Sequence, residues 1–124
     1  MKKKSICMEN WLERDLSRED IVAYLREEAR MERDEWTDKE VSHVAGIIHN
    51  IYKCMMYERQ GGHFVENFLA NDMVGCVTRA DDTIQRALPY IVRYFYNAAP
   101  MYVWEAITDS MNARAFVMRR QNKK

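Results

Sequence analysis

Glycine and proline are scarce in this chain, four and two among 124 residues, so few positions supply the tight turns that a many-stranded fold requires. No stretch of four or more residues shows the strict apolar alternation of a half-buried strand. These two deficits exclude a sheet-based architecture and leave helices to carry the fold. Long apolar runs are missing as well. None approaches the ~20 residues that span a bilayer, and Lys2, Lys3 and Lys4 precede no signal-peptide core, so no membrane association and a cytoplasmic setting are expected. Net charge is absent too: 19 Lys plus Arg balance 19 Asp plus Glu. No overall field steers the chain toward nucleic acid, and direct nucleic-acid binding is not expected. Mimicry of nucleic acid is disfavoured because the most acidic stretch, Glu27 to Glu35, is interrupted by Arg30 and Arg33. Three widely spaced cysteines, Cys7, Cys54 and Cys76, make no disulfide framework and read as reduced, packed side chains.

What is present is helical periodicity. The spacing predicts an all-α, compact bundle of about five or six helices in one domain over 1–124, with charged, frayed flanks at 1–7 and 119–124. A short helix is expected from Met8 to Asp15. Ser17, with Asp20 three residues on, forms a weak capping box for a second helix. Its inner stripe is Ile21, Leu25 and Ala29, with Trp36 as a further candidate, and its outer face of Arg26, Glu27, Glu28, Arg30, Glu32 and Arg33 is solvated. Thr37 with Glu40 is a full capping box, opening a helix that should run to about Arg59 before Gly61 and Gly62 stop it.

On that third helix Val41, Val44, Ala45, Ile48, Tyr52 and Met55 share a stripe, and Ile47, Ile51 and Cys54 widen the apolar arc to roughly 200°. So wide an arc is either central to the fold or covered by a second chain. With nine methionines, it points to a homo-oligomer, most simply a dimer. Beyond Gly62 a stripe of Phe64, Val65, Phe68 and Leu69 rotates into Leu69, Met73, Cys76, Val77 and Ala80, which a break at Asn71-Asp72 explains. Asp81 or Asp82 caps the next helix, whose Ile84, Leu88, Ile91 and Phe95 keep helical spacing through Pro89; that proline either kinks one helix or starts another. A last helix follows Pro100, with Trp104, Ile107, Met111 and Met118 as its stripe.

Chemistry-bearing patterns are few. His43, His49, His63, Cys54 and Cys76 are the conceivable metal ligands, but His43 and His49 lie about 120° apart on one helix and cannot share a first shell. No phosphate loop, nucleophile elbow, paired Glu-x-x-His or Cys-x-x-Cys occurs, so neither a cofactor nor a metal is expected and no residue stands out as a catalytic nucleophile or base. Two polar groups remain as binding candidates. Asn71, Asp72, Arg79 and Asp81 sit among apolar positions, either as helix caps tied by an arginine or as a polar pocket. Arg86, Tyr90, Arg93 and Asn97 recur at helical spacing opposite the Ile84 stripe, as a solvated face or as a surface where two arginines and an aromatic ring hold a phosphate and stack a base.

Residues 61–100 contain Gly61-Gly62-His63-Phe64-Val65-Glu66-Asn67-Phe68-Leu69-Ala70-Asn71-Asp72-Met73-Val74, then Arg79-Ala80-Asp81, and end on Tyr94-Phe95-Tyr96-Asn97-Ala98-Ala99-Pro100. This segment resembles small uncharacterised proteins encoded by phages and prophages, with Asn71, Asp72, Arg79, Ala80, Asp81, Tyr96, Asn97 and Pro100 as the matching positions. The family has no activity to carry over. The resemblance implies an accessory protein of a mobile element in a bacterial host: an anti-defence binder or inhibitor that occupies a host protein, or one that sequesters or hydrolyses a small nucleotide signal.

Overall fold

The computed structural model describes residues 6–57, 62–70 and 72–108, apart from the side chains of Ile6 and His63. Among them there is no strand; the chain is all-α, as expected. The helices are α1 (Ile6–Leu12), α2 (Arg18–Ala23), α3 (Asp38–Met56), α4 (His63–Leu69), α5 (Met73–Arg79), α6 (Asp82–Asn97) and α7 (Met101–Thr108), with a π-turn (Tyr24–Glu28) continuing α2. The described segments exceed the five or six expected because the chain breaks on both sides of α5. Met111, Met118 and the charged tail at 119–124 lie outside the described residues, as do Gly61 and Asn71.

Both capping boxes form. Ser17 and Thr37 accept from the amides of Asp20 and Glu40, and those carboxylates accept from the cap amides in return, satisfying donors that a helix start leaves open. Asp72 caps α5 through the Gly75 amide and Asp81 caps α6 through the Ile84 amide. Pro89 stands on the exposed side of α6, which runs through it as one helix.

The third helix is the centre of the molecule. Val41, Val44, Ala45, Ile48, Ile51, Tyr52, Cys54 and Met55 are buried on α3, more residues than any other described element buries, and α2, the π-turn, α4 and α6 all pack against it. Its wide apolar arc is thus covered within one chain. Each fully buried aliphatic or aromatic side chain here contributes about 1.5–3 kcal/mol. Trp11 of α1 meets Tyr52 edge-on at 4.8 Å and donates its Nε1–H to the Tyr94 hydroxyl at 2.9 Å, so rings from α1, α3 and α6 meet with their polar atoms satisfied. The link from α1 to α2 is clasped by α3. Leu16 donates its amide to the Tyr52 hydroxyl (3.3 Å), its carbonyl accepts from His49 Nε2 (3.0 Å), and Tyr57 donates to the Arg14 carbonyl (3.2 Å).

Several expectations need correction. Ile6 and Cys7, assigned to a frayed flank, belong to α1, and Cys7 is fully buried. The helix begun at Ser17 does not reach Trp36, because its last turn widens and stops at Ala29. On α5 only Cys76 of the rotated stripe is buried, while Met73 and Val77 face solvent because α4 is the main cover of this short helix. Cys7, Cys54 and Cys76 are unbridged and buried, and burial together with the Asp72 charge pushes the Cys76 thiol up to about 11.

Glycine scarcity leaves a mark on the backbone. Arg14, Arg30 and Glu35 have φ of 58°, 61° and 65°, the left-handed region where glycine usually ends a helix. The Asp15 amide returns to the Asn10 carbonyl, Met31 to Leu25 and Trp36 to Met31, the long closing bonds of helix stops built without glycine. A side chain held there costs about 1 kcal/mol relative to glycine. Arg14→Gly and Glu35→Gly are therefore each expected to raise stability in urea unfolding, by about 0.5–1 kcal/mol, with the m-value unchanged.

Candidate functional site

Contacts between α3 and α6 determine what α6 presents. His43 Nε2 lies 2.7 Å from Asp81 Oδ2, and Arg86 donates to Glu40. The order of these pairs makes the helices antiparallel. Farther along α6, Tyr90 donates to Asp34 and meets the Trp36 ring edge-on at 5.4 Å, beyond the start of α3. Next on the same face come Arg93 and Asn97, and the π-turn lies opposite them. Tyr24, Glu28, Ala29 and Arg30 from that turn, with Tyr90, Arg93 and Asn97 from α6, enclose a cleft of about 190 Å³.

The sequence-predicted stripe is therefore divided. Tyr90, Arg93 and Asn97 come together in the cleft. Arg86 does not; its guanidinium carbon lies 4.6 Å from the Trp36 ring centroid and its donors go to Glu40, so it ties α6 to α3. The other predicted cluster does not form a pocket. Asn71 lies outside the described residues, Asp72 and Asp81 cap different helices, and Arg79 is exposed and joins no ion pair among the described residues. An arginine tying the two caps is corrected on this point, since Asp81 takes His43. Space around the first cap is filled: a Cβ on Gly75 would stand 2.5 Å from Asp72 Oδ2 and 2.7 Å from the Asn67 side chain.

Arg30, Glu28 and Tyr24 were not among the candidates. In sequence they sit in a run that reads as a solvated face, and nothing in that run marks the left-handed stop at Arg30 that lines the cleft. Two arginines, Arg30 and Arg93, and one acidic residue, Glu28, are among the residues lining the cleft. Neither arginine is in an ion pair among the described residues. Paired planar forks of this kind suit a phosphate or carboxylate. The tyrosines hold their protons. Burial raises the Tyr24 phenol against the opposing hydrogen bond from Asn97, and the hydrogen bond to Asp34 raises Tyr90, with burial adding to it. Both stay neutral donors at physiological pH instead of becoming nucleophiles.

A second hollow, about 320 Å³, is lined by Met8, Tyr96, Asn97, Ala99, Met101 and Trp104. Asn97 borders both cavities. Tyr96 and Trp104 meet edge-on at 5.2 Å, and Tyr96 and Met101 are 66% and 67% exposed. A smaller groove of about 70 Å³ is lined mainly by apolar residues, Phe68, Cys76, Val92 and Ile107 among them, together with Asp72 and Thr108. Among the described residues no three His, Cys, Asp or Glu side chains are grouped to hold a metal ion. No described helix is long and apolar enough to cross a membrane. No family model matches the chain, and neither does any curated protein or solved structure.

The two arginines of the stripe should separate in mutagenesis. Arg86→Ala removes a charge pair and a cation–π contact and is expected to lower the thermal midpoint by roughly 3 °C, whereas Arg93→Ala leaves it within about 1 °C.

The α6 cap should respond to acid. Burial raises the Asp81 carboxyl, but the Ile84 amide and His43 outweigh it and hold the group below the usual carboxylate range. A depressed native value means that the stabilisation is complete above about pH 4 and is lost as pH falls through the folded value. Asp81→Asn keeps the cap and removes the titration, so its thermal midpoint should fall less steeply than the parent's as pH drops below about 4.

Proposed function

We propose that this chain is a phage-type accessory protein that binds a host defence or regulatory component without turnover, and that the Arg30–Arg93 cleft is where it does so. The observation that carries this reading is that two arginines, neither in an ion pair among the described residues, line one cleft. Like charges brought together favour an anion that lies between them. Binding without chemistry is supported by the use of the hydroxyl–carboxylate pairs that do touch. Thr37 with Glu40 belongs to a helix cap, and Tyr90 with Asp34 holds α6 to the loop before α3. The raised Tyr90 phenol also disfavours the alternative of a small hydrolase that uses it as a nucleophile.

A cytoplasmic place in a bacterial host goes with this reading, through the phage resemblance of residues 61–100. Self-association is a second proposal, on different grounds from those the sequence offered. The α3 arc no longer requires a partner, but α5 exposes Met73, Val74 and Val77 at 50%, 76% and 42%, an apolar face that a second copy would cover.

Protein purified from bacterial cells and analysed by mass spectrometry, native and then denatured, tests the proposal. The expected result is a co-purifying anionic small molecule or anionic partner, released chemically unchanged and lost when Arg30→Gly and Arg93→Ala are combined. Equal occupancy in that double variant, or catalytic consumption of the ligand at substoichiometric protein, overturns it.

A further inference from the structure

The cleft and the neighbouring hollow differ in chemistry and have one lining residue in common, Asn97. One end offers Arg30, Arg93 and one acidic lining residue, Glu28. The other offers Tyr96, Trp104, Met8 and Met101, with no charged residue in its lining. Asn97 stands at the junction. Taken singly, the cleft is smaller than usual small-molecule sites; the two together fall within their range of roughly 300–1,000 Å³. A ligand that fits both must be anionic at one end and flat and apolar at the other.

We propose that the two cavities form one bipartite site for a nucleoside monophosphate, with Arg30 and Arg93 gripping the phosphate and the base lying against Tyr96 and Trp104. This rests on the anion-binding reading of the cleft and adds the ligand class. Guanidinium forks match phosphate oxygens in pairs, and aromatic faces stack any base with little sequence preference. Glu28 in the lining and Asp34, bonded to the lining Tyr90, set the charge limit. Two carboxylates beside two arginines tolerate a single phosphate and repel the added charge of a triphosphate.

Left-handed Arg30 combines a backbone cost with a place in the cleft lining, a pairing that Arg14 and Glu35 lack. Its backbone favours glycine, so an arginine there is held at a cost in stability. Arg30→Gly removes the guanidinium and relieves the backbone together, so it should raise the thermal midpoint while weakening the ligand.

The test is calorimetric titration of the full chain with the four ribonucleoside 5′-monophosphates, adenosine, adenosine triphosphate, inorganic phosphate and succinate. At least one monophosphate should bind saturably, with adenosine and inorganic phosphate each weaker by about tenfold or more. Arg93→Ala and Arg30→Gly should each weaken the monophosphate by about tenfold, the second with a higher midpoint of unfolding. Tyr96→Ala should weaken the monophosphate and leave inorganic phosphate unchanged, and Glu28→Gln should narrow the preference for one phosphate over three. If succinate or inorganic phosphate binds as tightly as every monophosphate and depends on the arginines, the anion site stands and the nucleotide assignment falls. If neither arginine variant changes the binding of any of these anions, both fall. Loss of binding in Arg30→Gly accompanied by a lower midpoint overturns the proposed use of the left-handed arginine.

Discussion

Covering the apolar arc of α3 is the constraint on which the rest of this structure depends. One neighbour shields little more than a third of a helix, and α3 buries residues over about half its circumference, so α2, α4 and α6 must all lie against it. Closing the remaining gap brings Trp11 from α1 onto Tyr52. A ring so deeply buried needs its N–H satisfied, and the Tyr94 hydroxyl of α6 accepts it. The polar clasp on Leu16 follows from the same need, since a chain segment pulled across a buried helix must place its amide and carbonyl somewhere. Tyr52 and His49 provide both partners.

Fixing α6 against α3 also fixes what lies beyond α3. Arg86 over Trp36 and Tyr90 on Asp34 use the first half of the α6 outer face to hold the loop before α3. Arg93 and Asn97, a turn or two farther, are left facing the π-turn. That turn is wide because the Ala29 amide bonds back to Tyr24, and the stop after it is made by an arginine where glycine would be easier. A strained position retained beside a cleft is where function is to be sought. Arg14 and Glu35 carry the same conformation away from the cleft lining, so scarcity of glycine accounts for the conformation, and only the location singles out Arg30.

Much of the fold was legible because its signals are local. Ser17 with Asp20, Thr37 with Glu40 and the aspartates before α5 and α6 mark helix starts by side-chain chemistry acting over three residues. The centrality of α3 was legible from the width of its stripe, though the sequence left open whether one chain or two would cover it. The site was half legible. Periodicity placed Arg86, Tyr90, Arg93 and Asn97 on one face of α6, yet it carries no information about what stands opposite. Arg86 and Arg93 are alike in sequence and differ in role because Glu40 and Trp36 oppose the first and Glu28 and Arg30 the second. The π-turn had no signal, since a single widened turn changes no residue pattern. Asp72 and Arg79, seven apart, would share a face on an unbroken helix; a cap and a last helical residue do not interact that way.

Two guanidinium groups in one cleft raise a question of stability that the solvent answers. Arg30 and Arg93 are both exposed, so water screens their repulsion, and at that dielectric even two charges in contact cost only about 1 kcal/mol. An anion that enters displaces part of that water and meets both groups where the local dielectric is lower, so its attraction exceeds what the repulsion had cost. Burying the arginines beforehand would reverse the balance, since desolvation would penalise the empty protein. Partial exposure therefore suits a binding site better than burial does. It also fits the distribution of polar partners here: the tyrosine hydroxyls on the cleft wall are already hydrogen-bonded within the protein, which leaves the guanidinium donors to the ligand.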